Sequence, residues 1–347
     1  KLRPVQEFLF KNMWWLNDVL KARQLGFSTA IDIWLLDEAL FNRNLKCGII
    51  AQDQKAAGEI FRTKIEVPFD NLPDWLRAAL PLKSRRGGSQ GGFMLFRNGS
   101  SIQVATSFRS GTVQRLHISE HGKICATYPD QARAGRTGTL NTIHDGCIAF
   151  IESTAEGVGG DYYDLTQRAI QLQQAQATLS RLDWKFHFFA WWQDPKYRAT
   201  VPADGLYLSK EQEEYFATVE RVMNTTIDDE QRQWYITKQI EQKGEMKQEF
   251  PSTPMEAFLT SGRRVFDPLD TMKAEADCLP PLLVYDIDPV TGSKTKAHKV
   301  EAMDDLDGEF PRFDERFAGM AHRHGWYAAD PGGAKTIKQN AIAHRDV

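Results

Sequence analysis

The chain has 347 residues, 41% hydrophobic and 26% charged, with a formal net charge of −3. That length exceeds one small core and suits two domains or one with appendages. The near-neutral balance means that any nucleic-acid contact comes from a local patch rather than a basic coat. No run of about 18 apolar residues occurs, which excludes a membrane-spanning helix, and the start, Lys1-Leu2-Arg3-Pro4, has no apolar signal region. Cys47, Cys125, Cys147 and Cys278 lack CxxC spacing. They read as plain thiols of a reducing cytosol, not as a disulfide framework or structural zinc site.

In chain order, residues 14–20 predict a buried strand. A loop over Lys21–Phe27 follows, then a helix with Ser28 as its cap and an apolar face that starts at Ile31, Trp34 and Leu35. Residues 45–51 predict a strand buried on both faces, with Asp53 capping the next helix. Lys83–Gly92 is basic and glycine-rich, and reads as a mobile loop, either simply solvated or touching DNA phosphates. Phe93–Thr106 predicts a hairpin around Asn98-Gly99. Strands are expected at 113–118, 147–152 and Trp184–Trp192, and helices at 161–182 and 209–243. This alternation implies an α/β fold with a mostly parallel sheet. Residues 263–320, with several prolines and the acidic run Asp304–Glu309, read as a linker. In 321–347, strands at Trp326–Ala329 and Asn340–His344 flank a turn at Asp330-Pro331. A hairpin is marginal alone, so this segment reads as the beginning of a further domain.

Three stretches carry chemistry. Lys21-Ala-Arg-Gln-Leu-Gly26-Phe27-Ser28 aligns with the phosphate-binding pattern GxxxxGK[ST] at Gly26 and Ser28, but Phe27 stands at the lysine position. Either Lys21 or Arg23 would supply the missing cation, with the Ser28 hydroxyl on Mg²⁺. The bland alternative is a strand–helix turn with two exposed cations. Gln114–Glu120 reads as a strand ending in a carboxylate able to activate water. Ser119 occupies the place of the usual metal-associated aspartate, and the plain alternative for Glu120 is a surface carboxylate. Ile151-Glu-Ser-Thr-Ala-Glu-Gly157 is a polar strand end suited to sensing a γ-phosphate. Arg109, in a Ser/Gly-rich loop, is either a solvated arginine or one that reaches a neighbouring subunit's phosphates.

Together with Arg3-Pro-Val-Gln6, Glu249-Phe-Pro-Ser-Thr-Pro-Met-Glu-Ala-Phe258 and Tyr327-Ala-Ala-Asp-Pro331, these motifs follow the order of a known family. The chain resembles the large terminase subunit of tailed bacteriophages and prophages, over about residues 3–262 and again after 325. The resemblance implies a P-loop NTPase domain of the additional-strand class at 1–262, a linker at 263–320, and a truncated RNase H-like nuclease beginning at 321–347. It implies ATP and Mg²⁺ as cofactors and a motor that pumps double-stranded DNA into a procapsid from the host bacterial cytoplasm. Its expected partners are a portal protein, a small terminase subunit and further copies in a ring, usually a pentamer. Residue by residue, Gln6 would read adenine, and Lys21, Arg23, Gln24, Gly26, Ser28 and Thr29 would hold phosphates. Glu120 would be the catalytic carboxylate and Arg109 a trans-acting finger. Ser153 and Thr154 would couple hydrolysis to movement. Ser28 and Ser119 would serve the ATPase metal, and Asp330 a nuclease metal. One aspartate cannot hold a two-metal nuclease site, so no DNA cleavage is expected from this chain.

Two rivals come from other classes. His117-Ile-Ser-Glu120-His121 fits the zinc-peptidase pattern HxxEH, which needs a helix that puts both histidines on one face. The Phe27 and Ser119 departures also fit a nucleotide-binding scaffold that assembles on DNA without turnover.

Overall fold

The computed structural model describes residues 1–108, 112–135, 143–144 and 146–259, together with strands at 282–287, 294–300, 307–308, 324–330 and 341–346. The chain divides into Lys1–Arg264 and Val265–Val347.

The first unit is built on an eight-stranded sheet. Its strands are β1 (Leu16–Lys21), β2 (Lys46–Ile50), β3 (Leu82–Gly88), β4 (Gly91–Phe96), β5 (Ser101–Ala105), β6 (Arg115–Ser119), β7 (Ile148–Ser153) and β8 (Trp184–Phe189). Their order is β3-β4-β5-β2-β6-β7-β1-β8. The six strands from β5 to β8 in that order pair in parallel, and the β3–β4 and β4–β5 pairs are antiparallel. A strand covered on both faces reads as a continuous apolar run, and all six residues of β1 are buried. Its alternation divides them: Val19 packs into one core with Phe150, Phe27 and Phe216, while Leu16 and Leu20 pack into the opposite core with Ile151, Ile118 and Tyr162. A third core joins β2, β4 and β5 to the helices beside them.

The helices that bear on the site are α1 (Pro4–Asn12), α2 (Phe27–Phe41), α3 (Gln54–Ile60), continued without a break by a wider π-type turn over Phe61–Glu66, and α4 (Val67–Asp70). Next come α5 (Asp74–Ala79), α6 (His121–Thr127), α7 (Pro129–Ala134) and α8 (Asp161–Gln174). Helices α9 (Lys210–Met223), α10 (Asp229–Gln242), α11 (Met246–Glu249) and α12 (Pro254–Leu259) close the unit. Asp53 caps α3 as expected, accepting from the Ala56 N–H at 2.8 Å, and β4–β5 is the expected hairpin, with Gly99 at φ +87°.

Four expectations are corrected. Helix α2 begins at Phe27 with Gly26 at its N-cap, so Ser28 is inside the first turn and its hydroxyl is spent elsewhere. The stretch 209–243 is two helices. Asn224 closes α9 in the left-handed region, and Asp228 opens α10 in a reciprocal cap with Gln231. The helix expected over 161–182 ends at Gln174. Lys83–Gly92 is not a loose loop, because it forms most of the β3–β4 hairpin. Two of its glycines lie against the Phe61 ring, a Cβ on Gly92 standing 2.3 Å from it and one on Gly87 2.7 Å, while a Cβ on Gly91 would meet Val104 O at 2.2 Å.

The second unit holds one antiparallel sheet of β9 (Leu282–Ile287), β10 (Lys294–Val300), β11 (Asp307–Gly308), β12 (His324–Asp330) and β13 (Ala341–Asp346), ordered β10-β9-β13-β12-β11. The pairing of β12 with β13 is the hairpin read from the sequence. Strands β9 to β11 fall inside 263–320, the stretch read as a linker, and belong to the same sheet. Asp330 ends β12 in register with Asp307.

Candidate functional site

In an open parallel sheet the crevice that takes ligands lies beyond the carboxyl ends of the strands. Here the neighbouring strands β6, β7 and β1 all end in polar residues, Ser119-Glu120, Glu152-Ser153-Thr154 and Lys21. A cleft of about 310 Å³ opens above them, lined among others by Arg23, Ser28, Ser119, Glu120, Thr154 and Glu249.

Lys21 is the hub. It is buried, with its Nζ 3.0 Å from Glu120 Oε1 and 3.1 Å from Glu152 Oε2. Burial alone would lower its pKa, but the two carboxylates outweigh burial and hold it above the ordinary lysine value. Glu152 is wholly buried. Burial would raise its pKa, yet the charges of Lys21 and His117 outweigh that and keep the carboxyl well below the usual range, with the hydrogen bond from Ser28 adding to the effect. Its Oε1 accepts from the Ser28 hydroxyl at 2.5 Å and from the Ser119 hydroxyl at 2.9 Å. Behind it, His117 Nε2 lies 3.6 Å from Oε1, and His117 Nδ1 lies 2.6 Å from Asp32 Oδ1. Burial opposes a charged His117, but Asp32 more than offsets it and the ring is pushed up to about 9. Lys64 reaches Asp32 at 3.6 Å. The result is a row of alternating charges from Lys64 to Lys21 through the floor of the cleft.

The loop itself is held from behind through its carbonyls. The Tyr197 hydroxyl bonds Arg23 O, Arg3 and Lys196 bond Gln24 O, and Gln6 Nε2 donates to Leu25 O and Gly26 O, both at 3.0 Å. The first N–H groups of a helix lack intrahelical partners, so the start of α2 presents donors at the loop's end, an anion-binding geometry. Gly26 is at φ +75°, and a Cβ there would meet Gln6 Nε2 at 2.8 Å. Arg23 is more than half exposed and pairs with Glu249 at 2.5 Å.

Glu120 is also in the left-handed region, at φ +55°, a conformation that costs a non-glycine residue energy and clusters at functional sites. It opens α6, whose third residue Lys123 also faces the cleft. The Gly122 N–H donates to Ser153 Oγ at 3.0 Å. This bond ties the end of β7 to the Glu120 turn.

Of the expected site residues, Lys21, Arg23, Gly26, Ser28, Ser119, Glu120, Ser153 and Thr154 come together here. Gln6 lies beside the loop, but its amide is committed to loop backbone, with its Oε1 taking the Arg3 N–H, and does not face the cleft. Gln24 and Thr29 have exposed side chains that do not line the cleft. Arg109 lies outside the described residues. The zinc-peptidase geometry is overturned: His117 is on strand β6, His121 opens α6, and His117 is engaged by Asp32. Among the described residues no group of three or more His, Cys, Asp or Glu is arranged to hold a metal. Sequence reasoning missed Asp32, saw His117 only as a zinc ligand, and left Glu152 inside a motif with no role of its own. The signal was a lone carboxylate ending the apolar run Cys147–Ile151.

Neither a protein-family model nor a curated protein matches the sequence. Several solved structures are similar. The ATPase domain of the large terminase of Thermus phage P74-26 aligns with 73% of this chain and 94% of its own length, at 16% identity and a TM-score of 0.46. The large terminase of a second, thermophilic bacteriophage aligns with 62% of this chain and 50% of its own, at 12% identity and a TM-score of 0.36, and has also been solved with ATP-gamma-S. The Phi-28 gp11 DNA packaging motor aligns with 63% and 66%, at 12% identity and a TM-score of 0.28. Large terminases and a packaging motor are thus what this chain is similar to in structure, and large terminases are what its motifs resemble.

Proposed function

We propose that this chain is the ATPase of a viral DNA-packaging motor of the large-terminase kind, which hydrolyses ATP to move double-stranded DNA. The observation that carries the reading is Lys21, held between Glu120 and Glu152 at the end of β1, under a left-handed glycine and the N-terminus of α2. The sheet order supports a P-loop NTPase of the additional-strand class, since β7 stands between the strand of the loop and the strand of Glu120. Lys21 takes the part of the absent loop lysine from the front of the loop.

Chemically, the phosphates displace Glu120 as the partner of Lys21. Glu120, on a turn held by Ser153, is then free to orient and deprotonate the attacking water. Until the nucleotide arrives, the base is tied to Lys21. Ser28, Ser119 and Glu120 put only oxygen donors at the cleft floor, which fits Mg²⁺, a hard cation that keeps much of its water and needs few protein ligands. When bound, Mg²⁺ would neutralise charge on the phosphates. Ser153 and Thr154 carry the change at the γ-phosphate into β7. Arg109 is the candidate arginine for a neighbouring copy in a ring. A portal protein and a small terminase subunit are the partners this role calls for. In the second unit, Asp330 would begin the metal site of an RNase H-like nuclease.

The test is ATP hydrolysis with and without double-stranded DNA, for this chain and for Glu120→Gln. A Mg²⁺-dependent rate that falls about 10²–10⁴-fold in the variant is expected for loss of a general base. Nucleotide binding with no turnover in either protein would favour the scaffold reading, whose specific support is Ser119 at the metal-associated position. An unchanged rate in Glu120→Gln would remove that residue from the mechanism.

A further inference from the structure

Ser119 leaves the end of β6 without the carboxylate that a metal-dependent ATPase places there, and the structure fills the gap from the next strand. Ser119 and Glu152 are direct register partners in the parallel β6–β7 pair. Neighbouring strands lie about 4.8 Å apart, and the longer glutamate side chain spans that gap to bring Oε1 within 2.9 Å of Ser119 Oγ. The same oxygen accepts a hydrogen bond from the Ser28 hydroxyl at 2.5 Å. A serine hydroxyl has one proton and two lone pairs. Once both protons point down into Glu152, both oxygens can only accept on their cleft side, and both serines line the cleft.

The burial argues the same way. A fully buried carboxylate costs several kcal/mol unless paired, and the apolar residues before Glu152 show that β7 packs well without charge. Here Lys21 and the His117–Asp32 pair are arranged around it. We propose that Glu152 is the metal-positioning carboxylate of this ATPase, moved one strand over from position 119, and that it acts through Ser28 and Ser119 by accepting a hydrogen bond from each hydroxyl. It is a positioning residue: it touches neither metal nor nucleotide. The inference rests on the ATPase reading above.

The experiment measures Mn²⁺ association with the ADP-bound full chain by electron paramagnetic resonance, and labelled-ADP binding in EDTA by fluorescence anisotropy. Removing a residue that orients metal ligands costs about 10–100-fold in metal affinity. Glu152→Gln is expected to lose that much Mn²⁺ affinity while ADP binding in EDTA changes less than about threefold. Adding Ser119→Asp to that variant is expected to restore most of the Mn²⁺ affinity, because it returns the carboxylate to β6. Glu152→Asp keeps a negative partner for Lys21 but withdraws it from the serines. It is expected to melt like the parent and still bind Mn²⁺ more weakly, so the inference stays testable if Glu152→Gln folds poorly. Unchanged Mn²⁺ affinity in both Glu152 variants overturns the proposal and leaves the ATPase reading standing. Equal losses of metal-dependent and metal-free binding, with no recovery from Ser119→Asp, also overturn it, reducing Glu152 to a support for Lys21. A parent chain that binds no ADP in either buffer overturns the ATPase reading and this inference with it.

Discussion

Strand β1 buries two ionisable residues three positions apart, and the protein treats them oppositely. Lys21, at the carboxyl end, is surrounded by Glu120 and Glu152 and is held charged. Asp18, further down, makes no hydrogen bond through either carboxyl oxygen among the described residues. Burial pushes its pKa up to about 7, with the Thr166 hydroxyl working weakly against the rise. A buried charge either recruits partners or gives up its charge. Where β1 meets the cleft, five ionisable groups in sequence-distant elements are aligned to keep charges in place. Where β1 is only core, a carboxyl is left to neutralise itself. The first arrangement marks a site and the second marks tolerance of a buried acid.

The strongest way to break this contrast is Lys21→Met, which keeps the volume and deletes the cation. Glu152 is then buried without its nearest opposite charge, and removing one partner of a buried pair costs about 3–5 kcal/mol. For a unit of this size that is a fall in melting temperature of roughly 10 °C, together with loss of labelled-ADP binding. A melting curve within a few degrees of the parent would mean that the network is not what holds the charges in place.

The same contrast explains what the sequence could and could not reveal. Strands β2 and β7 were visible as apolar runs, because parallel strands covered on both faces are mostly apolar. The Asn98-Gly99 hairpin and the Asp53 cap were visible because their chemistry is local. Lys21 and Glu120 were reached through motif and resemblance. Glu152 was not singled out, because its meaning comes from the Ser119 register, and pairing between strands more than thirty residues apart leaves no local trace. Asp32 was hidden for a related reason: it sits in an otherwise apolar helical stretch, and only the β6 neighbour His117 gives it a purpose. The glycines of Lys83–Gly92 looked like loop composition, but two of them, Gly87 and Gly92, accommodate the ring of Phe61, which comes from a separate element. The break at Asn224–Asp228 was passed over, although Asp228 followed three residues later by Gln231 is a local cap pattern.

Titration gives a finer contrast. Asp18 has a folded pKa of about 7 against an ordinary 3.8. Below 3.8 both folded and unfolded chains are protonated. As pH rises to about 7 the unfolded chain releases a proton that the folded chain keeps, so stability is lost across that window. The shift corresponds to up to about 4 kcal/mol. Asp18→Asn has no such loss, so its stability advantage in urea unfolding should be small at pH 4 and grow to a plateau near pH 7. His117, raised to about 9, contributes stability that is complete below 6.5 and lost as pH rises through 9. His121, which burial pushes down to about 4, contributes in the opposite sense: its share is lost as pH falls from 6.5 towards 4. The two histidines are four residues apart, and the carboxylates beside His117, Asp32 first and Glu152 after it, account for the difference. Asp32→Asn should therefore flatten the decline between pH 6.5 and 9 and leave the acid limb alone. A decline that survives the substitution would assign the high-pH loss to another group.

The smallest effect expected is at the rim, and it decides between the two cations of the loop. Arg23 pairs with Glu249 at 2.5 Å, but its side chain is 56% exposed, and ion pairs open to water contribute about 0–1 kcal/mol. Arg23→Ala should therefore leave the melting temperature nearly unchanged. If Lys21 is the phosphate cation, ADP affinity should also fall only a few-fold, against its loss in Lys21→Met. Glu249→Gln sharpens the point, because it frees Arg23 without removing it. Modestly tighter ADP binding in that variant would mean that Glu249 draws the arginine away from the phosphates and that Arg23 assists from the rim. Should Arg23→Ala abolish ADP binding as fully as Lys21→Met does, the buried network would be holding the loop in shape while an exposed side chain captures the ligand. The contrast along β1 would then describe folding alone.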